Sequence, residues 1–200
     1  MARQPDPDLE KRILGAARQL WKRGAAKALT MRAVARAAKT NTPAVYRRFP
    51  HRDDILRALL RQTRQDMYQR FAGCASAEEA CAQYVEFALS HPHEYELYYR
   101  HEYDLFFSSR PVRESLGQTI KEARPSAELV RTMLAAQFGG SPDDYTHLQL
   151  SLWAMVHGTA MLLIAKTIHP EHAEEMRAAC RTSVETLLRE AGRSARKSRA

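Results

Sequence analysis

The densest collection of reactive side chains is HPHEYELYYRHEYDLFF (91–107), with three histidines and four carboxylates. Such residues bind zinc or iron, or move protons, when their spacing places them on one helix face. A zinc-hydrolase helix needs His-Glu-x-x-His, but His93-Glu94 is followed by Leu97 and His101-Glu102 by Leu105. A di-iron bundle needs Glu-x-x-His on two helices, and none of the eight histidines has a glutamate three residues before it. No phosphate-binding Gly-rich loop, dinucleotide turn or Gly-x-Ser-x-Gly elbow occurs either. Cys74, Cys81 and Cys180 have no metal-ligand spacing, and three is an odd number for a disulfide framework. The expectation is a protein that is not an enzyme and uses no cofactor or metal. Two alternatives stay open: a metal-binding or catalytic helical protein, and a thiol redox-sensing DNA binder using Cys74 and Cys81, which could share a helix face.

A different chemistry is carried by TNTPAVYRRF (40–49). Small residues open a short helix here, and an aromatic and two arginines follow one turn later. A helix that enters the major groove meets base edges with its N-terminal residues. Thr42, Pro43 and Ala44 are small enough for a deep approach and offer a hydroxyl or an apolar surface to a thymine methyl. Tyr46 and Arg47 reach phosphates on the rim, with Arg48 as a further candidate, while Val45 and Phe49 face the core.

Charge is segregated in the same sense. Residues 1–70 hold 17 Lys/Arg against 6 Asp/Glu, whereas 71–191 hold 10 against 17, and the last nine residues add four cations. A basic head before an acidic body draws polyanions to one end of the molecule.

The elements that position these residues are helices. Asp6, with Pro7 at the first helical position, is the expected cap of a helix carrying Leu9, Ile13, Ala17 and Leu20 on one face and ending at Gly24. Thr30 caps a short second helix with Val34, Ala35 and Ala38 inward. Asn41 caps the third, Pro50-His51 ends it, and Asp53-Asp54 opens a fourth. Short helix, tight turn, short helix is a helix-turn-helix.

From Ile13 to Leu60 the chain resembles the DNA-binding domain of the TetR family of transcriptional repressors. The resemblance is carried by Ile13-Leu14-Gly15-Ala16-Ala17, Gly24, Leu29-Thr30-Met31, Val34-Ala35, Ala38, Pro43 to Phe49 and Arg52 to Leu56. It implies phosphate contacts from Thr30, Tyr46, Arg47 and Arg52. Lys39 stands where the family commonly has glycine, at a cost of about 1 kcal/mol if the backbone there is left-handed, and is a candidate phosphate contact. Asn41 replaces the usual serine, serves equally as a cap, and is itself a candidate DNA contact.

Beyond residue 76 the pattern stays helical, with breaks at His91-Pro92, Ser109 to Pro111, Arg124-Pro125 and Gly139 to Pro142. The fold class is therefore all-α: a three-helix head and a larger helical body, about nine helices in total. The expected segments are 1–52 for DNA binding, 53–75 as a connecting helix, 76–191 for ligand binding and dimerisation, and 192–200 as a basic, disordered tail. Ser141 to Asp144 reads as a capping box. The helix after it is apolar on nearly every side, and the last helix carries Met176, Cys180, Val184 and Leu187 at near-heptad spacing. Two such helices packed on their symmetry mates would bury both, so these four are the candidate dimerisation residues.

Trp153-Ala-Met-Val-His157-Gly158, with His91-Pro92-His93-Glu94-Tyr95 upstream, resembles a C-terminal regulatory domain found in part of the same family. That resemblance implies a ligand cavity in each body, for which Tyr103, Phe107, Met133, Trp153, His157 and Met161 are candidates. The partners expected are double-stranded DNA, an unknown small-molecule effector and a second copy of the chain. No membrane is expected as a partner, and the location expected is cytoplasmic.

Overall fold

The computed structural model describes residues 7–100 and 124–197. Among them the chain forms nine α-helices: α1 (Leu9–Ala28), α2 (Met31–Ala37), α3 (Thr42–Arg48), α4 (Arg52–Ala72), α5 (Ala77–Ser90), α6 (Pro92–Arg100), α7 (Pro125–Phe138), α8 (Thr146–Ile164) and α9 (Ala173–Lys197). Short 3-10 turns, Pro142–Tyr145 and Pro170–His172, lead into α8 and α9. The fold is all-α, as expected.

Packing divides the described residues into two compact units, 7–63 with 93–100, and 64–92 with 124–197. The first gathers α1 to α3, the first half of α4, and α6. Its core joins Ile13, Ala17 and Trp21 to Val34, Val45 and Phe49, and to Ile55, Leu59 and Leu60 of α4, with Leu97 and Tyr98 from α6. Full burial of each large apolar side chain contributes roughly 1.5–3 kcal/mol. One charge sits among them: Glu94 is 3 % exposed, accepts from Arg18 Nε at 2.8 Å and has Lys22 Nζ at 3.5 Å. Next to it, the Trp21 indole N–H donates to the His93 carbonyl at 2.6 Å. A buried carboxylate is tolerated only when paired in this way. α6 follows α5 in sequence, yet α1 holds it.

Helix ends follow local chemistry. Asp6 lies outside the described residues; α1 starts at Leu9, with Asp8 in the cap position making no side-chain cap bond. Its regular backbone breaks at Gly24 and Ala25, the second at φ 46°, so Gly24 interrupts the helix four residues before it ends. Thr30 and Asn41 cap α2 and α3 as expected, accepting from Ala33 N at 3.1 Å and Ala44 N at 2.8 Å. Ser76 does the same for α5 through Glu79 N.

The second unit packs α5, α7 and α9 around α8. Ser141 and Asp144 form the expected capping box, on the 3-10 turn that leads into α8. Arg131 is buried on α7 and ties it to that turn, paired with Glu128 and donating to Thr146 Oγ1 at 3.2 Å. The expected disordered tail is corrected in part, because α9 continues to Lys197. Gly192 lies inside it, where an added Cβ would meet the Phe138 ring at 3.1 Å. That close approach of α9 to Phe138 extends the ordered helix past the expected boundary.

Candidate functional site

The turn between α2 and α3 sets the geometry of the head. Thr40 N donates to Ala35 O at 2.9 Å and Lys39 N to Arg36 O at 3.2 Å. These are the paired bonds of a Schellman ending, and they put Lys39 at the position that glycine usually fills. Lys39 has φ 53°, so its backbone is indeed left-handed. Its side chain is exposed.

α3 then divides cleanly. Ala44, Val45 and the capping Phe49 are buried, while Pro43, Tyr46, Arg47 and Arg48 are exposed and Thr42 is half-buried. Tyr46 is 49 % exposed, one of three large hydrophobic side chains uncovered among the described residues. Arg47 and Arg48, the next two residues, are exposed with it. Arg32 and Arg36 on α2 are exposed as well. Sequence reasoning missed both, although their spacing of four on a seven-residue helix marks one outward face.

Two expected DNA contacts have other roles. Ala44 is 5 % exposed; its methyl packs inward, so only Thr42 and Pro43 remain as the small residues at the helix tip. Arg52 donates from Nε to Leu29 O at 2.8 Å and from Nη2 to Ala26 O at 2.9 Å. It clasps the start of α4 to the carbonyls at the end of α1 and satisfies groups a helix end leaves unbonded.

In the second unit, Trp153 and His157 stack on α8 at 5.9 Å between centroids. Trp153 Nε1 donates to the Tyr84 hydroxyl at 3.2 Å, and that hydroxyl lies 3.4 Å from His157 Nδ1. The Tyr84 hydroxyl thus accepts from the indole and shares a hydrogen bond with Nδ1, whose direction follows the His157 tautomer. The Arg124 guanidinium stands 4.8 Å above the Trp153 ring. Burial, and then the Arg124 charge, lower the His157 pKa from 6.5, so the imidazole is neutral at pH 7. Tyr84 and Arg124 were missed from sequence: one aromatic among many on α5, and a cation read only as a helix break, carry no distinguishing signal.

The other expected cavity residues fare differently. Tyr103 and Phe107 lie outside the described residues. Met133 is half-buried on α7. Met161 is 41 % exposed and falls on the outer side of α8, away from the buried side that carries Val156 and Ala160. The thiol alternative fails on placement and on chemistry. Cys74 lies in the loop before α5 and shares no helix with Cys81. Burial raises both pKa values, that of Cys81 to about 12, so neither is a ready thiolate. Among the described residues no group of three or more His, Cys, Asp or Glu could hold a metal ion.

Comparison with known proteins agrees with this geometry. Residues 13–59 match the family described as bacterial regulatory proteins, tetR family, and residues 77–187 match the tetracyclin repressor-like C-terminal domain. The chain belongs to the TetR family. It is a DNA-binding transcriptional repressor of the ligand-responsive kind, built from the family's two parts. Solved structures share the fold of this TetR protein at low identity. A protein of unknown function from Rhodococcus sp. RHA1 is 19 % identical with TM-score 0.69, over 95 % of this chain and 98 % of that one. A TetR variant from Acinetobacter baumannii AYE in complex with minocycline is 19 % identical with TM-score 0.62, over 96 % and 99 %. The multidrug binding protein EbrR, complexed with imidazole, is 20 % identical with TM-score 0.56, over 91 % and 96 %. A search of curated proteins finds no match.

Proposed function

We propose that this TetR-family repressor is a cytoplasmic, non-enzymatic homodimer that reads a short palindrome with two copies of α3 and is released by a small molecule held beside Trp153 and His157. The observation that carries the DNA half is the division of α3. Its apolar residues are buried in the head, while Thr42, Pro43, Tyr46, Arg47 and Arg48 are left facing out from a helix capped by Asn41. Lys39, Arg32, Arg36 and the Thr30 hydroxyl add phosphate contacts around it. The effector half is supported by the Trp153–Tyr84–His157 hydrogen-bond chain under Arg124, aromatic side chains with a few fixed polar groups of the kind that line small-molecule sites.

Dimerisation is supported by what α8 and α9 leave uncovered. His147, Ser151, Ala154, Met161 and Ala165 are exposed at spacings of three, four and seven, and an added Cβ at Gly158 between them would meet nothing. Small residues along such a stripe let a second helix approach closely. On α9, Cys180 and Val184 are buried within the protomer, which corrects their expected place in the interface. Met176, Ala179, Ser183 and Leu187 occupy the adjoining, less buried flank and take over that role.

The test is selection of bound duplexes from a randomised DNA library with full-length protein at near-physiological salt. Enrichment of a palindrome with half-sites about one helical turn apart is the expected result. Binding without enrichment would reduce the head to a nonspecific electrostatic anchor and sink the proposal.

A further inference from the structure

Between α5 and α9 the second unit has an open cleft of about 470 Å³, within the range of small-molecule sites. Its floor is apolar: Cys81 and Cys180 face it with Val156 and Val184, all four buried. Burial, then Cys180 and Glu78, push the Cys81 thiol up to about 12, so Cys81 brings no negative charge to the floor at pH 7. The cleft lies on the flank of α9 that carries Arg177 and Arg181, beside the flank of Met176, Ala179, Ser183 and Leu187 assigned above to the dimer.

The rim is charged, but unevenly. α9 supplies two cations, and both have partners: Arg181 donates to Glu174 at 2.9 Å, and Arg177 lies 3.9 Å from Glu86. α5 supplies Glu78, Glu79 and Glu86. Glu79 accepts only a backbone N–H, from Ala75 at 2.7 Å, and Glu78 makes no hydrogen bond or ion pair among the described residues. Both are exposed in the first turn of α5, where the helix dipole favours carboxylates, and neither has a cationic partner among the described residues, so the lip presents negative charge over an apolar floor. An anion placed there would meet two carboxylates, and a neutral molecule would leave them unpaired.

We infer that the α5–α9 cleft is a second small-molecule site, which takes a compact lipophilic cation with its apolar body against Cys81, Cys180, Val156 and Val184 and its charge towards Glu78 and Glu79. It lies on the side of α5 opposite Tyr84, since Cys81, Ala82 and Val85 line it and Tyr84 does not. It is thus distinct from the Trp153–His157 site, and its existence does not depend on that one.

The test is calorimetric titration of the full-length protein with tetraphenylphosphonium and with tetraphenylborate, two ions of like shape and opposite charge. One tetraphenylphosphonium is expected per chain, bound at least about tenfold more tightly than tetraphenylborate. The double variant Glu78→Gln/Glu79→Gln should lose that preference, while the amide oxygen introduced at the second position can still accept the capping N–H of α5. Ala82→Phe fills the cleft from an exposed position and should abolish cation binding, whereas Trp153→Ala should leave it unchanged. Circular dichroism checks that each variant is folded. Equal binding of the two ions, no binding of the cation, persistence in Ala82→Phe or loss in Trp153→Ala would each overturn the assignment.

Discussion

α3 and α8 invert each other. α3 has seven residues; its apolar side chains are buried almost completely, and what it leaves outside is an aromatic, two arginines and a small polar tip. α8 has nineteen; it is apolar nearly all round, yet only Gln149, Leu152, Val156, Thr159 and Ala160 of it are buried. Among the described residues it is the one helix long and apolar enough to cross a membrane. A helix whose exposed side is polar declares its function by what it presents. A helix whose exposed side is apolar declares it by what it lacks, and a partner of like surface supplies that. The head can be understood from one chain, whereas the outer side of α8 is where the proposed second copy would pack.

Gly158 is where a single substitution should have the largest effect. Its Cβ position is open in one protomer, so Gly158→Arg should fold, yet it would bury an unpaired charge between two copies. Sedimentation should show monomer, and operator affinity should fall by roughly a hundredfold or more, because a desolvated charge without a partner costs several kcal/mol. A Gly158→Arg protein that remains dimeric would remove α8 from the interface.

Within the head, Arg47 and Arg52 separate contact from construction. Arg47→Ala should weaken DNA binding and lower the slope of log affinity against log salt by about one, with unfolding unchanged. Arg52→Ala removes two charge-assisted bonds to backbone carbonyls and should cost about 1–3 kcal/mol in denaturant unfolding, with the salt slope intact. Exchange of those two outcomes would restore Arg52 to the phosphate backbone.

In the body, the equivalent question is whether His157 works as a neutral acceptor. The unfolded imidazole takes its proton near pH 6.5, and the folded one only at lower pH. The stability contributed by neutral His157 is therefore complete above that value and declines as pH falls through it. An NMR titration should place the His157 midpoint below 6.5, and Arg124→Ala, which removes the second cause, should move it upwards. A midpoint at or above 6.5 in the parent protein would contradict the buried, Arg124-facing placement.

The same contrast governs what could be read in advance. Caps at Thr30, Asn41 and Ser141, the break at Gly24 and the inward Val45 and Phe49 are local: each depends on neighbours within one or two turns, and each was legible. The reassignments are tertiary. Ala44 and Arg52 follow a sequence pattern whose function is recognition, but burial and two carbonyls 23 and 26 residues away decide their roles. Cys180 and Val184 lie on an apolar stripe too wide for one interface, and periodicity alone cannot say which flank meets α8 of the same chain. Tyr84 joins Trp153 and His157 across about seventy residues of sequence, a separation at which no spacing rule operates. The continuation of α9 past Gly192 rests on Phe138, a contact invisible in a run that reads only as basic and small.

The smallest expected effect lies in the turn that aims α3. Lys39 holds a left-handed φ of 53° inside a Schellman ending, where a side chain costs about 1 kcal/mol relative to glycine. Part of that would be offset by the greater backbone freedom glycine brings to the unfolded chain. Lys39→Gly should therefore raise unfolding stability by at most about 1 kcal/mol, while the loss of one exposed cation lowers the DNA salt slope by about one. Opposite signs for stability and affinity at a single residue would mean that the head accepts backbone strain to hold a charge near DNA. If Lys39→Gly instead left the salt slope unchanged, lysine would be a tolerated turn residue only, and the contacting surface would narrow to α3 and the outward arginines of α2.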